Sequence, residues 1–214
     1  MTERMTEQVV TREFAASERI LDAEVELVVV ARALDDAVAA FARQVVHARQ
    51  LQDVQDVVQA GTRASAQLGF EASLRAVPGF AAWCDDVDAL VDAYALLVGA
   101  EEVGVRIATL SRPMCPRFHV DQIGCRLLTT YHGPGTEYLH DQEVNRALLG
   151  PGTDGRPDET SGLLAPGVTV HRMPEGAVGW FKGGRWHEGQ VQGVVHRSPH
   201  SDAPRLLLSL DRVS

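Results

Sequence analysis

Nowhere in the 214-residue chain does an apolar run reach the about 18 residues that a membrane span requires, so no membrane partner is expected. The opening residues, Met1-Thr2-Glu3-Arg4-Met5-Thr6-Glu7, lack the basic start and apolar stretch of a secretory signal. Cysteine is scarce. Cys84, Cys115 and Cys125 form no CxxC pair, and any disulfide scheme leaves one over. The compartment these features predict is a reduced cytoplasm. Positive charge is also short, with 20 Lys and Arg against 29 Asp and Glu and a net charge of -9. Such a chain repels phosphate backbones, so no nucleic-acid partner is expected. There is no GxxxxGK-type phosphate loop, no internal repeat and no arguable Ser-His-Asp or Cys-His arrangement.

What is present has the composition of a soluble globular protein, 45% hydrophobic and 23% charged. The length suits one domain with a sizeable core, or a core with a helical extension. Character changes near residue 100. Before it proline is rare, and Val25 to Ala31 is a short β-branched run that reads as a strand. From Leu34 to Gln59 the apolar spacing predicts a helix, with Leu34, Val38, Phe41, Val45 and Val46 on one face. A second amphipathic helix is predicted over Asp85 to Val98. After residue 100, short apolar runs alternate with glycine and proline. Val103–Leu110, Cys125–Tyr131, Val168–His171, Ala177–Phe181, Gln192–His196 and Arg205–Leu210 read as strands. Asp141 to Leu149 reads as one short helix, and Gly150 to Gly167 as a long loop. The expected class is α+β: a mainly helical region over 1–100 packing on a β-rich, metal-binding barrel core over 101–214, of the jelly-roll kind.

The chemistry concentrates in Cys115-Pro116-Arg117-Phe118-His119-Val120-Asp121. His119 and Asp121 are two apart, so on an extended strand both point to one face, with Phe118 and Val120 on the other. His196 closes a later apolar run and can return to them from a partner strand. Two imidazoles and a carboxylate on one face suit Fe(II) with open positions. Zinc accepts the same donors, and an H-x-D pair also arises by chance or as hydrogen-bonded structural residues. Arg205 stands nine residues after His196 and opens the run Leu206-Leu207-Leu208. A buried guanidinium needs a partner, either an internal carboxylate such as Asp211 or a bound one held bidentately.

His119-x-Asp121, a long interval, His196 and then Arg205 resembles the pattern of the Fe(II)/2-oxoglutarate-dependent dioxygenases. The resemblance implies a cupin-like double-stranded β-helix, iron on His119, Asp121 and His196, and 2-oxoglutarate held by Arg205 with support from Tyr131. Glu175 to Phe181 resembles that superfamily's glycine-turn strand before the distal histidine, or is ordinary strand packing. Many such enzymes place a serine two residues after the arginine, where this chain has Leu207. More narrowly, Cys115–Asp121, Thr129–Leu139, Val195–Pro199 and Arg205–Asp211 resemble the bacterial domain-of-unknown-function 1826 family, across most of 105–214. The reaction implied is hydroxylation of a small-molecule or protein substrate that the sequence does not identify. The rival class is a non-enzymatic zinc-binding or metal-homeostasis protein on the same fold. A metal-dependent hydrolase or isomerase without 2-oxoglutarate is a further rival.

Other residues have plainer readings. Gly133 to Glu137 is a turn or a substrate loop. The three cysteines read as buried structural thiols. Trp180 and Trp186 belong to the core or to a pocket wall. His132, His140, His187 and His200 are surface histidines or a second metal site.

Overall fold

The computed structural model describes residues 6–150, 155–186 and 192–213. Among them, ten strands form two sheets. The larger sheet has seven strands in the order β1-β2-β8-β5-β10-β4-β3. These are β1 (Glu7–Thr11), β2 (Val25–Val30), β3 (Val54–Gln59), β4 (Glu102–Leu110), β5 (Cys125–His132), β8 (Val178–Lys182) and β10 (Arg205–Arg212). The smaller sheet, β7-β6-β9, consists of β6 (Glu137–Leu139), β7 (His171–Arg172) and β9 (Val195–Arg197). Helices α1 (Asp36–Ala48) and α4 (Phe80–Val98) are the long ones, with single-turn α2 (Ala64–Gln67) and α3 (Ala72–Arg75) between them. No described helix is long and apolar enough to cross a membrane.

Period-two alternation along the central strands divides the interior into two layers. On β10, Leu206, Leu208 and Leu210 join Cys125, Leu127 and Tyr131 of β5 in the main core. That core is closed by Phe41 and Val45 of α1 and by Trp83, Val87 and Tyr94 of α4. The opposite face carries Leu207 and Leu128, which pack with Leu27, Val29 and Phe181 against Tyr138 of the smaller sheet and Val194 beside it. The molecule is therefore helices, large sheet, small sheet, with apolar side chains filling both gaps. Strand β2 is buried on both faces, which is why Val25 to Val30 reads as a continuous β-branched run rather than an alternating one.

The first hundred residues supply α1 to α4 and also β1, β2 and β3. In the sheet order these sit at both edges, so hydrogen bonding runs unbroken across the change of composition near residue 100. The helix expected over Leu34 to Gln59 is a correction. It stops at Ala48 because Arg49 turns left-handed at φ 52, and Val54 to Gln59 pairs antiparallel with β4. Edge pairing of Val57 and Val58 with Gly104 and Val103 prevails over the helical expectation there. Over Asp141 to Leu149 there are two 3-10 turns rather than one helix. The expected strand at Val168–His171 is displaced to His171–Arg172, and Gln192–His196 narrows to Val195–Arg197.

One polar cluster ties the helical layer to the sheet. Arg32, just beyond β2, donates to both oxygens of Asp86 on α4 and to Gly176 O. The hydroxyl of fully buried Tyr131 donates to Asp86 Oδ2 at 2.7 Å. Removing the carboxylate leaves the phenol unpaired and the guanidinium with only the Gly176 carbonyl in a mostly buried site. Asp86→Ala is therefore expected to destabilise the fold by roughly 2–3 kcal/mol, read as a lower midpoint in urea unfolding with an unchanged slope. A midpoint equal to wild type would show that the cluster is not a stabilising link.

Candidate metal centre

The centre begins with two backbone hydrogen bonds. His119 N–H donates to His196 O and His196 N–H to His119 O, each at 3.0 Å. This antiparallel bridge lays the chain around residue 119 beside β9. Residues paired in this way share a face, and the two imidazoles stand with ring centroids 4.6 Å apart. Asp121, two residues on, returns to the same side. Its carboxylate lies 3.5 Å from His119 Nε2 and 3.3 Å from His196 Nε2. One ligand atom from each of the three lies within 4.8 Å of the other two. Phe118 points away and is buried with Leu139, Leu163 and Val195, with Val120 packed against them.

The rings are held in a ligating orientation. His119 Nδ1 lies 2.9 Å from Arg117 O, and His196 Nδ1 lies 3.0 Å from Val194 O. A carbonyl accepts only, so Nδ1 carries the proton and Nε2 turns toward the carboxylate side. That arrangement leaves Nε2 as the donor to a metal and orients the ring from behind.

Sequence reasoning singled out neither Arg126 nor Asp158. Arg126 Nη1 donates to Asp121 Oδ2 at 2.7 Å, while its Nε and Nη2 donate to Asp211 at 2.7 and 2.8 Å. Burial opposes ionisation of Asp121. Hydrogen bonds from His119 and His196, with the charges of His196 and Arg126, outweigh it and hold this carboxyl far below the usual range. For His119, burial lowers the pKa, but bonding to Asp121 and to the Arg117 carbonyl raises it above its ordinary value. Buried Asp158 accepts from Phe118 N–H at 2.8 Å and from Arg117 Nε at 2.6 Å, fixing the chain just before His119. Gly183 has no room for a side chain, since a Cβ would meet Asp121 O at 2.7 Å and Ile123 O at 2.4 Å. A charge inside the apolar run of β5 was the available signal for Arg126. Asp158 gave none, lying in a loop 40 residues from Phe118.

A cavity of about 470 Å³ opens beside the centre. His119, His196, Arg126, Arg205, Leu207 and Ser209 line it. Arg205 is buried, and its Nη1 donates to Pro134 O at 3.3 Å. Its Nε has no partner, and no described carboxylate lies within ion-pair distance of the guanidinium. Asp211, the internal partner considered for it, is taken by Arg126. Burial pulls the Arg205 pKa down to about 10, so it stays charged at neutral pH.

Tyr131 does not join this group. It projects from the helical face of β5, T-shaped to Trp83 and bonded to Asp86, away from the cavity on the opposite face. The β5–β10 pairing slips between Leu206 and Leu207, but Tyr131 keeps its place in the main core. Cys84 and Cys125 are buried as expected, whereas Cys115 is exposed and lines the cavity. Trp180 is core, stacked on Tyr94, and Trp186 also joins the main core. Thr136, in the turn after Gly133, lines the cavity. His132 faces Glu175 at 3.3 Å, and His187 lies outside the described residues.

The family model described as "Protein of unknown function (DUF1826)" matches residues 11–211, well beyond the 105–214 region that carried the resemblance. No curated protein matches. Among solved structures, the rice dioxygenase for auxin oxidation is similar, with TM-score 0.52 at 14% identity over 97% of this chain and 83% of its own. A Pseudomonas putida prolyl-4-hydroxylase gives 0.46 at 17% identity, covering 96% and 97%. The Arabidopsis thaliana dioxygenase for auxin oxidation 1, in its 2-oxoglutarate complex, gives 0.48 at 12%, covering 98% and 93%. The rice likeness shows a shared dioxygenase-like fold.

Two expectations follow. Changing His119, Asp121 or His196 to alanine should each remove about one divalent ion per chain, measured by elemental analysis of desalted protein. Full metal content in all three variants would dismiss the centre. Because Asp121 stays ionised, protons compete for the metal only at the histidines. Metal should therefore leave as pH falls into the range where the histidines protonate, measured as the metal content of protein desalted at a series of pH values. In metal-free protein the sign reverses. The charged His119 stabilises the fold at low pH, and that contribution disappears as pH rises through its raised pKa.

Proposed function

We propose that this chain, which belongs to the DUF1826 family of proteins of unknown function, is a non-haem Fe(II)/2-oxoglutarate-dependent oxygenase built on a double-stranded β-helix. The observation that carries the proposal is Arg205, a buried guanidinium with an unpartnered Nε in a cavity shared with His119 and His196. An unpaired buried charge is costly, and an incoming carboxylate would relieve that cost with a charge-assisted pair.

His119, Asp121 and His196 would hold the iron on one face, leaving the cavity side open. Iron with 2-oxoglutarate and O₂ supplies oxidation of a substrate C–H bond, releasing CO₂ and succinate. The chain's own residues bind and orient. Arg205 would take the distal carboxylate of 2-oxoglutarate. Arg126 offsets one of the two negative charges of Asp121 and Asp211, which limits the negative charge beside the metal site. Phe181, whose ring lies 5.1 Å from that of His196, shields the histidine from water on the side of the large sheet. Leu207, where many such enzymes have serine, removes one hydroxyl from beside the cosubstrate and leaves Arg205 as its main anchor.

A second reading, zinc binding without catalysis, uses the same three ligands and leaves Arg205 without a purpose. Arg205→Leu separates the two. The variant should keep its metal but lose 2-oxoglutarate affinity by about 2–5 kcal/mol, measured by anaerobic calorimetry on folded protein. Fe(II)-loaded wild type should form succinate in air above a free-iron control, while Asp121→Ala and zinc-loaded protein should not. Absence of both succinate and 2-oxoglutarate binding would leave the zinc-binding reading.

A further inference from the structure

A second set of metal-ligating side chains lies away from this centre. β6 runs directly into His140, and the following 3-10 turn carries Glu143 back over it. His140 N–H donates to Glu143 Oε2 at 2.7 Å. The other carboxylate oxygen, Oε1, lies 2.9 Å from His171 Nε2. His171 opens β7 directly opposite Tyr138, and its ring stacks on that tyrosine at 5.4 Å. The His140 and His171 rings stand 4.4 Å apart, nearly edge to face. One ligand atom from each of His140, Glu143 and His171 falls within 4.8 Å of the other two. All three are half-buried, so an ion could reach them.

His140 and Glu143 cap the 3-10 turn reciprocally, and His171 engages the remaining carboxylate oxygen. Capping needs neither the second imidazole nor the close approach of the two rings, which repel when both are charged. Two imidazoles and one carboxylate converging on a point instead match a divalent ion such as Zn²⁺, with water completing a tetrahedron. The stacked tyrosine and the bonded carboxylate keep the ligands aimed. This site is distinct from the first. All of β6 lies between β7 and β9, so His171 and His196 are roughly 10 Å apart across two strand spacings.

We propose that His140, Glu143 and His171 form a second, structural Zn²⁺-class site that clips together the two ends of segment 144–170. Glu143 and His171 are 28 residues apart, and closing so long a segment with a metal bond limits its unfolded freedom. The segment holds Asp158, which bonds Phe118 N–H and Arg117, and Glu159, which bonds Arg197. These partners lie within two residues of His119 and His196 in sequence. The clip therefore steadies the wall of the first centre without entering it.

Zn²⁺ content of the full chain tests this directly, after equilibration with buffered Zn²⁺ and desalting, and it does not depend on any oxygenase activity. Wild type should retain two ions per chain. Asp121→Ala/His196→Ala should retain one, and adding His171→Gln should reduce that to none. Zn²⁺ should raise the thermal midpoint of the Asp121→Ala/His196→Ala protein by several degrees, and that of the triple variant not at all. Should the triple variant fail to fold by circular dichroism, Glu143→Gln in the wild-type chain decides, with an expected drop from two ions to one. One ion in wild type and none in Asp121→Ala/His196→Ala would overturn the second site. So would a Zn²⁺ count that neither His171→Gln nor Glu143→Gln changes.

Discussion

Two reciprocal backbone hydrogen bonds between His119 and His196 hold the centre, and most of the surrounding structure serves to keep them in register. They join a short irregular segment to one edge of the three-stranded sheet, where no longer strand exists to enforce alignment. Register therefore has to come from outside. Asp158 grips the Phe118 amide, Phe118 anchors in an apolar cluster with Val195, and Gly183 leaves space for the turn after Asp121. A slip of one residue would turn His119 into that apolar cluster and Phe118 toward the cavity.

Charge is managed around the same point. Asp121 and Asp211 would repel each other if left alone on one sheet face. Arg126 divides its donors between them, so three charged side chains leave a net charge of one. Arg205, in contrast, has no such compensation. One sheet face therefore presents a partly offset pair of acids and an uncompensated base, and the cavity field runs from the base toward the acids.

Much of this was legible in the sequence because local periodicity encodes it. The H-x-D spacing fixes two side chains on one side of an extended segment, and the alternation in β10 separates Arg205 from its leucines. What escaped depended on long-range pairing. Val54 to Gln59 fits a helical face as well as a strand, and only β4 beside it decides. Asp158 and Arg126 act through partners distant in sequence or hidden in an apolar run. Tyr131 sits on the strand where the family resemblance looked for it, yet local alternation in β5 turns its ring to the helical side. The trio His140, Glu143 and His171 is joined across a loop whose path no composition reveals.

Strand β10 has a further consequence. Its even positions, Leu206, Leu208 and Leu210, are packed into the helical core, and its odd positions, Arg205, Leu207, Ser209 and Asp211, face the cavity. Stability and chemistry are thus written on alternate letters of one eight-residue segment. Exchange at Ser209 can reshape what the cavity admits while the core contacts of Leu206, Leu208 and Leu210, and those of Leu207 in the second apolar layer, stay as they were. That separation gives such a scaffold room to diversify, because new selectivity need not be won at the expense of a stable fold.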